Sequence, residues 1–179
     1  MKDQKIAGKI WILTDPEGRL IEDIDTDQIF HNAFLHITEI GEMGPYTLGN
    51  LKGWEDFPKK AGPGDIVAAG RNFGAGSSRQ QAVDCFRALG IGAIIAPSFG
   101  AIYFRNAVNS GFPVFRWPRM EEAVGRKLFR NSDHIIIESR TGRGYNETNQ
   151  QDFILEPMSG VQAAIFEAGS LFGYARTLE

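Results

Sequence analysis

The chain has 179 residues, carries 19 Lys and Arg against 22 Asp and Glu for a net charge of −3, and contains one cysteine and three histidines. At this length a chain buries roughly 70% of the surface it exposes when unfolded, so one domain over 1–179 is expected without a disulfide or metal staple. A single cysteine excludes an internal disulfide, and it excludes an iron–sulfur cluster or Cys-rich zinc site held by this chain alone.

The remaining composition narrows the partners. A slightly acidic balance gives no basic footprint for nucleic acid or anionic lipid, and 42% apolar with 23% charged residues is the composition of a soluble protein. The start, Met1-Lys2-Asp3-Gln4-Lys5, is charged, and the apolar run at 10–13 is far short of the roughly 20 residues of a membrane span. Neither a signal peptide nor a transmembrane helix is expected, and the cytoplasm is the expected compartment. Glycine is in excess, 21 residues or about 12% against a usual level of roughly 7%.

Residues 5–13 predict a strand, ended by the turn Asp15-Pro16-Glu17-Gly18, with a hairpin return through Arg19-Leu20-Ile21. From Glu22 to Pro63 no period is sustained, which predicts loop with short helical pieces. Such a long irregular segment is usually functional. Within it, 31–50, with glycines at 41, 44 and 49, is expected to be mobile.

The pattern sharpens at Asp65-Ile66-Val67-Ala68-Ala69, a short apolar run of the kind buried in a parallel sheet. A glycine-rich turn, Gly70 to Gly76, leads to Ser77-Ser78, expected to cap a helix with Ala82, Val83, Phe86 and Leu89 inward and Gly90 as its stop. Then come a strand at 93–96, a helix from about Phe99 to Val108, and a strand at 113–115. This alternation predicts parallel strands joined by right-handed crossovers. After Pro118, a helix over 120–129, a strand over 134–138, a turn at 140–144 and a strand near 152–155 make the sheet mixed. Ser159 is expected to cap a last helix with Val161, Ala164, Ile165, Ala168 and Leu171 inward.

Gly74-Ala75-Gly76-Ser77-Ser78-Arg79 is the motif with chemistry in it. Glycines allow close backbone approach, a helix start aims N–H groups outward, two hydroxyls lie beside them, and Arg79 can hold a carboxylate or phosphate bidentately. Phosphate-loop templates fit poorly: no Lys precedes the serines, Arg79 stands where the dinucleotide pattern needs its third glycine, and Gln80 stands where a nucleophile elbow needs its last. Elsewhere, Cys85 reads as a small buried residue, and Asp25 and Asp27 as turn-forming or subunit-contact residues rather than a metal pair. Phe73 and the aromatic cluster at 99–104 are candidates for a partner interface.

Taken in order, Asp23-Ile24-Asp25-Thr26-Asp27, then Asn72-Phe73-Gly74-Ala75-Gly76-Ser77-Ser78-Arg79, then Ala96-Pro97-Ser98-Phe99, Asn106 and Gly111-Phe112-Pro113 resemble the small subunits of 3-isopropylmalate dehydratase, the detached swivelling domain of the aconitase superfamily. The resemblance implies an α/β fold, a swivelling β/β/α domain with a mixed, partly parallel sheet flanked by helices. It implies a hydro-lyase of leucine biosynthesis, active only with a large subunit whose 4Fe–4S cluster takes the departing hydroxyl of a di- or tricarboxylate substrate, with no cofactor on this chain. It gives Ser77 as the base, Ser78 as a second catalytic residue and Arg79 as the carboxylate grip; Gly76, Asn72, Leu35 and His36 complete the expected substrate-binding set, with 31–50 as the specificity loop. Relatives commonly have Cys at Ala75 and Glu-His at Gln80-Gln81, which puts the tuning of Ser77 in question. Two other readings stay open: a related hydro-lyase subunit acting on homoaconitate, citraconate or another substituted malate, and a small-anion-binding module without chemistry.

Overall fold

The computed structural model describes residues 4–178; Met1-Lys2-Asp3 and Glu179 lie outside the described residues. Seven strands, β1 (Lys5–Ile12), β2 (Ile66–Ala68), β3 (Ala93–Ala96), β4 (Val114–Arg116), β5 (His134–Glu138), β6 (Arg143–Asn146) and β7 (Gln151–Ile154), form one sheet in the order β4-β3-β2-β1-β5-β6-β7. The helices are α1 (Thr26–Ile29), α2 (Phe57–Lys60), α3 (Gln81–Ala88), α4 (Ala101–Asn109), α5 (Met120–Gly125), α6 (Gly160–Glu167) and α7 (Leu171–Ala175). On one side of β1 the strands run parallel, Ile10 facing Ile66, Ile66 facing Ala93 and Ile94 facing Val114. On its other side β5, β6 and β7 are antiparallel. The sheet is mixed and partly parallel, as expected.

The short central strands are apolar at every position because both faces are covered. Successive side chains point to opposite faces, so Val67, Ile94 and Ala96 join a core with Phe73, Phe86 and Tyr103, while Ile66, Ala68, Ala93 and Ile95 join another with Phe115, Trp117 and Phe153. α3 buries Ala82, Val83 and Phe86 as predicted, and Gly90, with φ of 75°, follows its end.

The hairpin return through 19–21 forms but is too short to count as a strand. One antiparallel bridge, Thr14 to Leu20, is flanked by the Asp15 amide donating to the Arg19 carbonyl at 2.9 Å and the Ile21 amide donating to the Leu13 carbonyl at 3.0 Å. The Asp15 carboxylate closes the turn by accepting from the Arg19 backbone and guanidinium. Three expectations need correction. The 120–129 helix stops at Gly125, and Lys127 takes a φ of 56°. β6 went unpredicted; its Arg-Gly-Tyr-Asn has no apolar alternation, and Gly144 leaves room for the Phe153 ring opposite it on β7. Ser159 does cap α6, in a capping box with Gln162, yet α6 turns Ala163 and Ile165 inward and leaves Val161 exposed. The apolar run continues only after Gly169, in α7, where Leu171 is exposed.

The segment 22–63 is irregular, as read, with only one-turn helical pieces. It is nonetheless packed: Ile29, Phe30, Ile37, Met43, Leu48, Leu51 and Phe57 are all buried in the α3–α4 core. Within 31–50, the anchors at Ile37, Met43 and Leu48 argue against mobility along its full length.

Candidate functional site

Three segments meet beyond the carboxyl ends of β1, β2 and β3, the side of a parallel sheet where ligands usually sit. The central one, 70–80, is gripped from both sides. Toward β3, the Phe73 amide donates to the Ser98 carbonyl at 3.1 Å and the Gly100 amide to the Phe73 carbonyl at 2.8 Å. Toward β1, the Gly74 amide donates to the Ile24 carbonyl at 2.7 Å and the Thr26 amide to the Ala75 carbonyl at 2.9 Å. Positive φ at Asn72 (55°), Gly74 (76°) and Gly76 (91°) bends the turn at every second residue. Phe73, Phe99 and Tyr103 are buried beneath it, so they support the turn and do not form a partner surface.

Ser77 and Ser78 are exposed, and neither is a helix cap: α3 begins at Gln81, its N-cap position is Gln80, and no side chain caps it. This corrects the expected capping role. The first helical bonds run from the Ala82 amide to the Arg79 carbonyl and from the Val83 amide to the Gln80 carbonyl. Among the described residues, no amide from Gly76 to Gln80 donates a hydrogen bond, and the Ser77 and Ser78 hydroxyls make none. Thr26 Oγ1 donates to the Ser77 carbonyl at 3.2 Å. A row of unengaged N–H donors beside two free hydroxyls suits a developing negative charge.

Arg79 lies close by, with its side chain only 11% exposed. Its Nη1 donates to the Phe30 carbonyl at 2.6 Å, to the Thr26 carbonyl at 3.2 Å and to Asp27 Oδ1 at 3.1 Å. All of these bonds fall on one nitrogen. The guanidinium is thus held by one arm, while Nε and Nη2 bond nothing among the described residues. Desolvation pushes the Asp27 carboxyl upward, but the Arg79 bond, the Asn32 amide and the His31 and Arg79 charges outweigh it, and the group is held below the ordinary carboxylate range. With the folded value lowered, the Asp27–Arg79 tie is present at neutral pH and is lost as acid takes the pH down through that lowered value.

Asp27 and Thr26 are the members that the sequence reading missed as site residues. Asp25 has the turn-forming role expected of it, capping α1 by accepting from the Asp27 and Gln28 amides. Asp27 is 52 positions from Arg79, so spacing carries no signal for the pair; the acidic run at 23–27 was the only trace. Asn72 uses its side-chain amide on Asp23 Oδ1 at 2.8 Å and its backbone amide on Ser98 Oγ at 2.9 Å, holding the turn in place. Leu35 and His36 are exposed on the early loop; His36 Nδ1 lies 3.1 Å from the Ala33 carbonyl, and no hydrogen bond joins either residue to Ser77, Ser78 or Arg79. His36, Ile37, Thr38, Glu42, Pro45 and Tyr46 line an open depression of about 520 Å³. Cys85 is fully buried, and burial pushes its thiol up to about 12. Among the described residues no three His, Cys, Asp or Glu side chains form a metal-binding group, and no helix is long and apolar enough to cross a membrane.

Residues 52–118 match the family described as the aconitase C-terminal domain. The 3-isopropylmalate dehydratase small subunit of Thermodesulfovibrio yellowstonii is 33% identical over 172 residues, covering 96% of this chain and 94% of that protein. Small subunit 1 of Archaeoglobus fulgidus is 35% identical over 157 residues, covering 88% and 92%. The crystal structure of 3-isopropylmalate dehydratase (LeuD) from Methanocaldococcus jannaschii superimposes with a TM-score of 0.82 at 30% identity, covering 98% of this chain and 95% of that one. The chain belongs to the family of 3-isopropylmalate dehydratase small subunits.

Proposed function

We propose that this chain is half of a hydro-lyase active site, the small subunit of a 3-isopropylmalate dehydratase that dehydrates and rehydrates a substituted malate together with a large subunit. Near-full-length similarity to subunits of that name supports the reading. The observation that carries it is the pairing of unengaged donors at 76–80 with an arginine held by one arm. Arg79 presents Nε and Nη2 to a substrate carboxylate, and its fixed Nη1 keeps the fork oriented before substrate arrives. Ser77 Oγ removes the carbon-bound proton next to the hydroxyl-bearing carbon. A serine hydroxyl ionises far above neutrality, so the free amides, the Arg79 charge and exclusion of water by a partner must together make its alkoxide accessible. Ser78 adds a hydroxyl to the same centre, Gly76 keeps the backbone close to it, and Asn72 holds the turn.

The family resemblance implies a 4Fe–4S cluster held by the large subunit rather than by this chain. The residues here do not fit such a group, since the one thiol is buried and stays protonated. Exposure of Ser77 in this chain also leaves its alkoxide open to bulk water, which supports a requirement for a partner that covers it.

The test is reconstitution with a purified large subunit under anaerobic conditions, following enoic-acid absorbance with 3-isopropylmalate, citramalate and other substituted malates. Turnover of 3-isopropylmalate only in the presence of the large subunit is the expected result. Turnover by the chain alone, or preference for another malate, overturns it. In the same complex Arg79→Lys is expected to raise KM about tenfold or more, with a smaller change in kcat, because one ammonium cannot keep the Thr26 and Phe30 carbonyls and also fork onto a carboxylate. An unchanged KM would remove the grip from Arg79.

A further inference from the structure

The 31–50 loop is packed on itself. The Phe34 and Tyr46 rings lie 4.2 Å apart, and each meets the buried Phe30 ring edge-on at 6.3 Å and 6.2 Å. Both ends of this unit close on one carboxylate. At the entrance, the Asn32 amide donates to Asp27 Oδ1 at 3.0 Å, and His31 Nε2 lies 3.8 Å from Oδ2. At the exit, Asn50 Nδ2 donates to Asp27 Oδ2 at 3.1 Å and reaches the Asp27 carbonyl at 3.4 Å. Leu48 prepares that exit: it is fully buried at a φ of 57°, a costly conformation for leucine, and its amide donates to the Ile29 carbonyl at 2.8 Å.

Asp27 therefore has a divided carboxylate. Oδ1 is shared by Arg79 and the Asn32 amide, and Oδ2 faces Asn50 and His31. A carboxylate is rigid and planar, so drawing the guanidinium toward a bound ligand moves Oδ1 and is felt at Oδ2. We propose that Asn50 is a positioning residue that couples the 31–50 loop to Arg79 through Asp27, so that what fills the depression at His36–Tyr46 and how firmly Arg79 holds a substrate carboxylate are set together. The proposal rests on the reading of Arg79 as that grip, and it adds a residue outside both sequence motifs. Asparagine suits the position because it offers a neutral donor to a carboxylate that already has a cation; aspartate there would set two anions against each other.

Amide hydrogen exchange on the full-length chain tests the coupling without catalysis. Asn50→Ala and Arg79→Ala are each expected to speed exchange at the Asn32 and Leu48 amides about fivefold or more, and the double variant no more than the larger single change. Unchanged loop exchange in Arg79→Ala, or fully additive effects, overturns the coupling. In the reconstituted complex, Asn50→Ala is expected to change the ratio of kcat/KM between two malates that differ only in their substituent by about fivefold, with thermal stability little altered, and Asn50→Gln is expected to restore part of it. An unchanged ratio overturns the link to substrate choice. A wild-type complex that turns over no malate sinks the functional reading instead, and the exchange result still decides the coupling.

Discussion

Alanine at position 77 is expected to lower kcat of the reconstituted complex about a thousandfold, near 4 kcal/mol of transition-state stabilisation, within the usual range for removing a general base. KM should change little, since the hydroxyl acts on a proton and not on the carboxylate that fixes the substrate. The position makes this substitution unusually clean. Ser77 is exposed, its hydroxyl bonds nothing among the described residues, and its structural contact is made by the backbone carbonyl that accepts from Thr26 Oγ1. Alanine keeps that carbonyl, so stability should stay within about 0.5 kcal/mol, as for surface changes generally. Ser78→Ala is the matched control, with the same exposure and a smaller expected loss. Stopped-flow turnover with thermal melts on each variant separates the two roles; equal losses for Ser77 and Ser78, or full turnover in Ser77→Ala, would take the base away from Ser77.

Much of the parallel half of the sheet was legible because its determinants are local. β3 and the antiparallel β5 match the sequence reading residue for residue, since each is a short apolar run bounded by turn residues. The serine motif misled at one point for the same local reason: Ser77-Ser78 has the chemistry of a cap, yet the chain keeps those hydroxyls free and starts α3 at Gln81. Segment 22–63 defeated a periodic reading because single residues such as Leu48 and Phe57 reach the core from irregular backbone. The site divides similarly. Ser77, Ser78 and Arg79 are adjacent and could be read from the chain, whereas Asp27 and Asn50 join them only through folding. A carboxylate that orients an arginine leaves no mark in spacing when the two are on different strands' connections.

That tertiary layer has a stability consequence at Gly74. Alanine there is expected to destabilise the chain by about 3–5 kcal/mol, a sum of roughly 1–2 for a non-glycine residue at positive φ and the remainder for overpacking. The φ is 76°, and a Cβ at this position would overlap the Cβ, Cγ and Cδ2 atoms of Tyr103. Tyr103 cannot easily yield: it is 2% exposed, stacked parallel to Phe99 with ring centroids 6.4 Å apart and edge-on to Phe73 at 5.2 Å. Nor can the turn move away, because Gly74 donates to Ile24 on one side while Phe73 is bonded to Ser98 and Gly100 on the other. For a chain of this size the melting temperature should fall by about 10 °C, since each kcal/mol is worth roughly 2–4 °C. Tyr103→Phe marks the contrast: its hydroxyl is buried without a partner, so removing it should be neutral or mildly stabilising. A melting temperature unchanged by Gly74→Ala would mean that Tyr103 does not support the turn, and that the spacing of Ser77 from the sheet is set by the Asp23–Thr26 side alone.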